Sequence, residues 1–247
     1  MKTRQLLIDG DILLYKIAVS NEIETHWGDG LWTLHSDEEI CRLQVDDTIS
    51  SLLTNLEADD YVVCLTDAIN FRKDIMPSYK GNRKDKRKPL VFNALRDYVI
   101  EHHYGMTYDG LEADDIMGIL STQKSKKVER VVVSIDKDLK QIPGLLSSDG
   151  KTVTKVSKRQ ADYWFLIQTL AGDLTDGYSG CPGVGVKTAE KLLDIKVPFV
   201  DNWSTVIKTY KKHGYLDGEI LQQARVARIL RHGEYDHNTG AIKLWKK

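Results

Sequence analysis

Apolar runs in this chain stop repeatedly at carboxylates. Leu6-Leu7-Ile8 ends in Asp9 and Asp11, and Tyr61 to Leu65 leads to Asp67. Gly110-Leu111 precedes Glu112, Asp114 and Asp115. Val131 to Ile135 ends in Asp136 and Asp138, and Tyr163 to Leu170 precedes Asp173 and Asp176. The runs predict strands at Gln5–Asp9, Tyr61–Thr66 and Arg130–Ile135, with a short one at Tyr104–Thr107. Helices are expected through Tyr15–Ser20, over Pro89–His102 and over Glu112–Thr122. Another should start at Ser36, where Glu39 completes a capping box and Ile40, Leu43, Ile49, Leu52, Leu53 and Leu56 form a stripe. Trp27 to Trp32, with Asp29-Gly30 inside, reads as a hairpin turn. Strands alternating with helices argue for a doubly wound α/β sheet. The run at Arg130–Ile135 should be central and parallel. Sites in such sheets lie beyond the carboxyl ends of the strands, where Asp9, Asp67 and Asp136 fall.

After Ser157 the pattern becomes helical, with helices at Lys158–Ala171, around Thr188–Leu193 and over Gly218–Leu230. A closing hairpin is expected around Asn238-Thr239-Gly240. No Pro-, Gly- or Ser-rich linker intervenes, so residues 157–247 should pack directly on residues 1–156.

Composition narrows the function. With 247 residues and a net charge of −1, the chain suits one large domain or two small ones. No stretch approaches a membrane span, and the N-terminal run is too short and charged for a signal peptide. The cysteines, Cys41, Cys64 and Cys181, form no pair at metal spacing, which suits a reducing cytosol. The near-neutral total hides a basic stretch: Arg72, Lys73, Lys80, Arg83, Lys84, Lys86, Arg87 and Lys88 oppose only Asp74 and Asp85. That is either a solvated loop or a surface for a polyanion. Carboxylates that converge cannot all stay ionised without cations. If the strand ends meet, Mg²⁺ or Mn²⁺ on oxygen ligands is the expected neutraliser.

Each motif has more than one reading. Asp9-Gly10-Asp11 suits metal ligands, the nucleophile and acid of a haloacid-dehalogenase-type phosphohydrolase, or a helix N-cap. The phosphohydrolase pattern continues into a Gly-Thr turn, whereas Ile12 to Tyr15 reads as a helix. Glu112 and Asp115 share a helix face with Asp114 between, as ligands or as partners of the helix dipole. Asp136 and Asp138 follow a buried strand and point into the mouth of the sheet. Gly180 to Ala189 fits a helix-hairpin-helix whose N–H groups hold a DNA phosphate, or a plain glycine turn. The seven histidines show no metal or triad spacing.

In their order these motifs resemble the flap endonuclease / 5′→3′ exonuclease superfamily, with its PIN-like (Rossmann-like) nuclease core. They look closest to the exonucleases of tailed bacteriophages. The likeness runs from Leu7 to Trp245. It is carried by Thr66 to Lys73, Tyr79 to Lys84, Leu111 to Asp115, Ile135 to Asp138, Gly172 to Gly180 and Gly183-Val184-Gly185. Ala227 to Leu230 and Leu244-Trp245 match the phage branch. The resemblance implies a PIN-like α/β core with a mostly parallel sheet flanked by helices, and a helical C-terminal DNA-binding region. It implies one metal near Asp9, Asp67, Glu112 and Asp114, and a second near Asp136, Asp138 and Asp173, with Asp114 able to serve both. Asp115 and Asp176 would be nearby or water-mediated ligands. Two Mg²⁺ ions, with Mn²⁺ substituting, would then activate a water and stabilise the leaving oxygen.

Lys80 and Arg83 match the bases that hold the scissile phosphate. Arg72, Lys73, Tyr79, Lys84, Lys86, Arg87 and Lys88 would contact DNA within an arch or clamp of about residues 71–106, short for a closed arch. Gly183, Gly185, Lys187 and Thr188 fall in the helix-three-turn-helix element, which in this family can use K⁺. The implied substrates are double-stranded DNA with 5′ ends or flaps, and RNA–DNA hybrids. That implies primer removal in phage DNA replication and recombination, alongside other replication proteins in the host cytoplasm. Asp11 departs from the many relatives with a neutral residue there. Two other classes compete: a phosphohydrolase forming a phospho-aspartate on Asp9, and a DNA-end-binding module without catalysis.

Overall fold

A computed structural model describes residues 2–83 and 86–247. Strand β1 (Thr3–Asp9) runs directly into helix α1 (Gly10–Ser20), with Asp9 as N-cap accepting from the Ile12 N–H at 3.1 Å. A hairpin of β2 (Ile23–His26) and β3 (Trp32–His35) follows, in the register His26 opposite Trp32. Helix α2 (Glu38–Asn55) is capped by Asp37, which accepts from the Ile40 N–H at 3.1 Å. The expected Ser36–Glu39 box gives way because the Asp37 carboxylate, a charged acceptor, takes the helix-end donor first.

Next come β4 (Asp60–Cys64), the short α3 (Arg72–Ile75), α4 (Phe92–His102), β5 (Gly105–Met106), α5 (Ala113–Thr122) and β6 (Val128–Val133). Two short strands, β7 (Gly144–Ser147) and β8 (Thr154–Val156), precede four helices: α6 (Lys158–Ala171), α7 (Val186–Leu192), α8 (Phe199–Lys211) and α9 (Asp217–Ala227). The periodicity reading omits β7, β8 and α8. The expected closing hairpin reduces to one bridge between Tyr235 and Ile242.

The sheet order is β5-β4-β1-β6-β7-β8, parallel except for β8. Alternation along β1 divides the core into two layers. Leu6 and Ile8 join α1, α2 and α4 on one face, while Leu7 meets α5 and the segment Ile229-Leu230 on the other. A third cluster fills the helical part and includes Tyr79 from the basic stretch. Leu7 pairs with both Val62 and Val132, so β1, β4 and β6 end level. Their carboxyl ends bring Asp9, Asp67 and Asp136 to one edge.

Arg72 and Asp115 fasten these parts together. The guanidinium meets both Asp115 oxygens at 2.6 and 2.8 Å, and donates to the carbonyls of Val226 at 2.9 Å and Arg228 at 2.6 Å. Asp115 also accepts from the Leu230 N–H at 3.0 Å. One turn along α5, a Cβ on Gly118 would lie 2.2 Å from the Leu230 carbonyl, so only glycine lets the C-terminal segment seat here. Arg72, expected at the DNA surface, and Asp115, expected near a metal, are both buried and bind each other instead. Removing one member of a buried pair strands the other charge. Asp115→Ala should therefore cost about 3–5 kcal/mol, read as a fall in the urea midpoint. A wild-type midpoint would show that the pair does not hold this joint.

Candidate metal and phosphate site

A cavity of about 570 Å³ opens at the carboxyl edge of the sheet. Asp9 and Asp11 come from the β1–α1 junction, Thr66 and Asp67 from the segment after β4, and Glu112 and Asp114 from the start of α5. Asp136 and Asp138 follow β6, and Asp176 lies beyond α6. Lys73, Lys80, Arg83, Lys88 and the α4 residues Asn93 and Arg96 complete the walls.

The acids fall into two groups. Asp9 is buried; its carboxylate accepts from the Ser134 hydroxyl at 2.7 Å, yet burial pushes its pKa up to about 6. Burial, then the charges of Asp9 and Asp136, drive Asp114 well above the ordinary range. Burial and Asp136 push Asp138 to about 7, and its Oδ1 is buried with no hydrogen-bond partner. This wall carries more negative charge than the protein neutralises. Glu112 belongs to the second group. Burial raises its pKa, but Arg72 and Lys80 more than offset this and hold it below the usual value. Asp176 pairs with Arg83, while burial keeps its pKa raised.

Asp67 fixes the turn before α5, accepting from the Gly110 N–H at 2.8 Å. Asp173 is not among the cavity-lining side chains. Its Oδ1 accepts from the N–H groups of Thr175 at 2.7 Å and Asp176 at 3.2 Å, and its charge helps to raise Asp138.

Among the described residues, no three His, Cys, Asp or Glu side chains close on a single point. The carboxylates instead surround an open space. Hard divalent cations take oxygen ligands of this kind and can keep waters in their remaining positions. The excess charge and the orphaned Asp138 oxygen fit divalent cations on the wall formed by Asp9, Asp114, Asp136 and Asp138.

The basic stretch is not one patch. Lys80 has a left-handed backbone (φ 52°), fixed by its N–H donating to the Asp176 carbonyl at 2.7 Å. Such a non-glycine conformation costs about 1 kcal/mol and aims the side chain inward. Its ammonium pairs with Glu112 and lies 3.7 Å from Asp176. Burial lowers the Lys80 pKa, but those carboxylates outweigh it, so the net shift is upward. The approach requires Gly177, since a Cβ there would sit 3.0 Å from the Ser78 carbonyl.

Tyr79, expected on the DNA surface, is buried in the helical core with its hydroxyl 2.9 Å from Glu112 and 3.0 Å from Asp176. Arg87 makes two contacts with Glu22, at 2.7 and 2.8 Å, and Lys88 sits over the Phe92 ring at 5.1 Å. Lys73 and Lys86 are exposed, and Lys84 lies outside the described residues. Helix α4, within the expected arch of about residues 71–106, packs in the core through Phe92, Leu95 and Val99.

Between α6 and α7, the chain turns with Val184 and Ala189 buried, leaving Gly183, Gly185, Lys187 and Thr188 exposed. A Cβ at Gly183 or Gly185 would meet nothing within 4 Å. The motif reading missed Arg96 and Asn93. Their signal is the i, i+3 spacing beside the apolar stripe of α4.

A family model described as the N-terminal, resolvase-like domain of 5′-3′ exonucleases matches residues 4–162. The chain belongs to the 5′-3′ exonuclease family. It is 33% identical to the exodeoxyribonuclease of Enterobacteria phage T3, with 97% of this chain and 92% of that protein covered. It is 31% identical to the exonuclease of Escherichia phage T7, over 98% and 93%. The fold matches the zinc-bound T5 5′-exonuclease with a TM-score of 0.57 at 17% identity, covering 91% of this chain and 93% of that one. A T5 flap endonuclease complex with DNA and metal ions gives a TM-score of 0.54, also at 17% identity and the same coverage. The α/β fold of this family member, with its mostly parallel sheet, is thus that of the T5 5′-exonuclease.

A carboxyl whose pKa is raised by folding holds its proton better in the folded state. Ionising it then works against folding. Without divalent ions, stability should fall as pH rises from the ordinary carboxylate range through about 6 for Asp9 and about 7 for Asp138. For Asp9 alone, the rise from 3.8 to about 6 corresponds to about 3 kcal/mol. Melting in EDTA across this range should show that decline, and Mg²⁺ or Mn²⁺ should reverse it by an increment that grows with pH. A pH-independent increment would locate the ions away from these acids.

Proposed function

We propose that this family member is a divalent-metal-dependent, structure-specific 5′→3′ exonuclease and flap endonuclease that works with Mg²⁺, with Mn²⁺ able to substitute. The divided cavity supports this reading most directly: one acid wall carries unneutralised negative charge, and Lys80 and Arg83 stand at the other. Divalent ions held by Asp9, Asp114, Asp136 and Asp138, with Asp67, Glu112 and Asp173 near at hand, would lower the pKa of an attacking water and offset charge on the leaving oxygen. Asp9, tethered to Ser134 and Ile12, presents a fixed carboxylate. Lys80 and Arg83 exchange Glu112 and Asp176 for the scissile phosphate when a strand enters, and counter the charge it gains in the transition state.

The exposed Gly183-to-Thr188 turn holds a duplex phosphate through backbone N–H groups, with K⁺ as a bridging ion, and reads no sequence. Contacts of this kind accept RNA–DNA hybrids as well as DNA. Such an activity suits primer removal and end processing in phage replication and recombination, alongside other replication proteins in the host cytoplasm; the phage relatives carry the names exodeoxyribonuclease and exonuclease. Among the described residues no helix is long and apolar enough to cross a membrane. The phosphohydrolase reading is weaker, because α1 begins at Gly10 and no turn follows Asp9-Gly10-Asp11.

Digestion of 5′-labelled duplex, flap and hybrid substrates in Mg²⁺ or EDTA tests the proposal; equal cleavage in both would sink it. Asp136→Ala should reduce cleavage by several powers of ten while DNA binding persists. Near-normal turnover of the folded variant would remove the metal assignment. Lys80→Ala should slow the single-turnover rate at saturating enzyme. Lys86→Ala should instead weaken affinity modestly and flatten its salt dependence by roughly one unit of slope. Indistinguishable losses of affinity would make the stretch an undifferentiated patch.

A further inference from the structure

Arg96 is a basic side chain at this cavity that, among the described residues, makes no hydrogen bond. It projects from α4 and is only 21% exposed. Among the described residues it makes one polar contact, an ion pair with Asp11 at 3.7 Å, too long for a hydrogen bond. Asp11 is itself oriented, accepting from the Thr66 N–H at 3.1 Å. Lys80 and Arg83, by contrast, are engaged with Glu112 and Asp176. A guanidinium carries five donors in a planar fork shaped for phosphate. One turn earlier on α4, the exposed Asn93 faces the same cavity and adds an amide donor.

Resting on the nuclease reading above, we propose that Arg96, with Asn93, binds a second backbone phosphate of the cut strand, beside the one held by Lys80 and Arg83. Asp11 holds the guanidinium over the cavity by charge until DNA replaces it. Asp11 is on this account a positioning residue rather than a metal ligand, which gives a role to a carboxylate that the family pattern leaves without one. The long ion pair suits this task, since it orients the arginine without occupying its donors.

The test uses the full chain with Arg96→Ala, Arg96→Lys and Asp11→Asn. Affinity for a 5′-flap DNA is read by fluorescence anisotropy in EDTA across a salt series, and single-turnover cleavage in Mg²⁺ is read separately. Arg96→Ala should weaken binding about tenfold, as expected for hydrogen bonds to a charged group. It should flatten the salt slope by roughly one unit and leave the saturated cleavage rate within about twofold. Arg96→Lys should keep the slope and recover part of the affinity. Asp11→Asn should tighten binding, but not when Arg96→Ala is also present, and the Mg²⁺ concentration for half-maximal rate should not move. Wild-type affinity and slope in folded Arg96→Ala or Arg96→Lys would overturn the proposal. So would a fall in saturated rate at unchanged affinity, or a raised Mg²⁺ requirement in Asp11→Asn. Wild-type protein that binds flap DNA but cuts nothing would sink the nuclease reading instead, while the anisotropy slopes still decide the role of Arg96.

Discussion

A single buried ion pair sets the relative positions of almost everything that matters here. Arg72 begins the basic stretch, Asp115 sits in the first turn of the acid-bearing helix, and three backbone groups from residues 226–230 close around them. Two charges out of water need such saturation, because their attraction alone does not repay desolvation. The pair thereby fixes α5, and with it Glu112 and Asp114, against the segment that carries Lys80. Arg72 also touches Glu112 at 3.2 Å, so the joint and the reactive cavity share an electrostatic field.

That field explains why neighbouring carboxylates differ. Glu112 has cations on two sides and stays ionised. Asp9, Asp114 and Asp138 are raised first by burial and then by neighbouring carboxylates, Asp136 common to all three. The protein is thus built with a local charge imbalance that its own side chains do not relieve. Such an arrangement persists because the level strand ends and the seated C-terminal segment leave the acids no room to separate.

The sheet was largely legible in the residues. Runs such as Val131-Val132-Val133 have strand length and β-branched composition, and the acids after them mark the carboxyl edge. Helix α6 was legible to the residue, through its Ser157–Gln160 capping box and apolar face. Strands β7 and β8 were not, because Gly144–Ser147 and Thr154–Val156 are too short to show a period. Helix α8 does carry its stripe, Trp203, Val206 and Tyr210, but β-branched residues and a tryptophan blur its propensity. Within the site, residue type and order pointed to the acids. What the chain could not reveal was partnership. Nothing local distinguishes Arg72, buried against Asp115, from Lys73, which faces solvent, or Asp115 from Asp114. Those roles depend on contacts 43 to 156 residues away along the chain.

The seat of Leu230 on Gly118 has a consequence for how the protein comes into being. The ion pair that steadies the acids is completed by backbone from residues 226–230, which are translated well after both of its members. A nascent chain can lay down β1, β4 and β6 early, yet Arg72 and Asp115 lack their enclosing carbonyls and N–H group until the segment after α9 has left the ribosome. Assembly of the cavity therefore waits on residues 226–230, and a chain not yet extended that far holds its acids without the support that positions them.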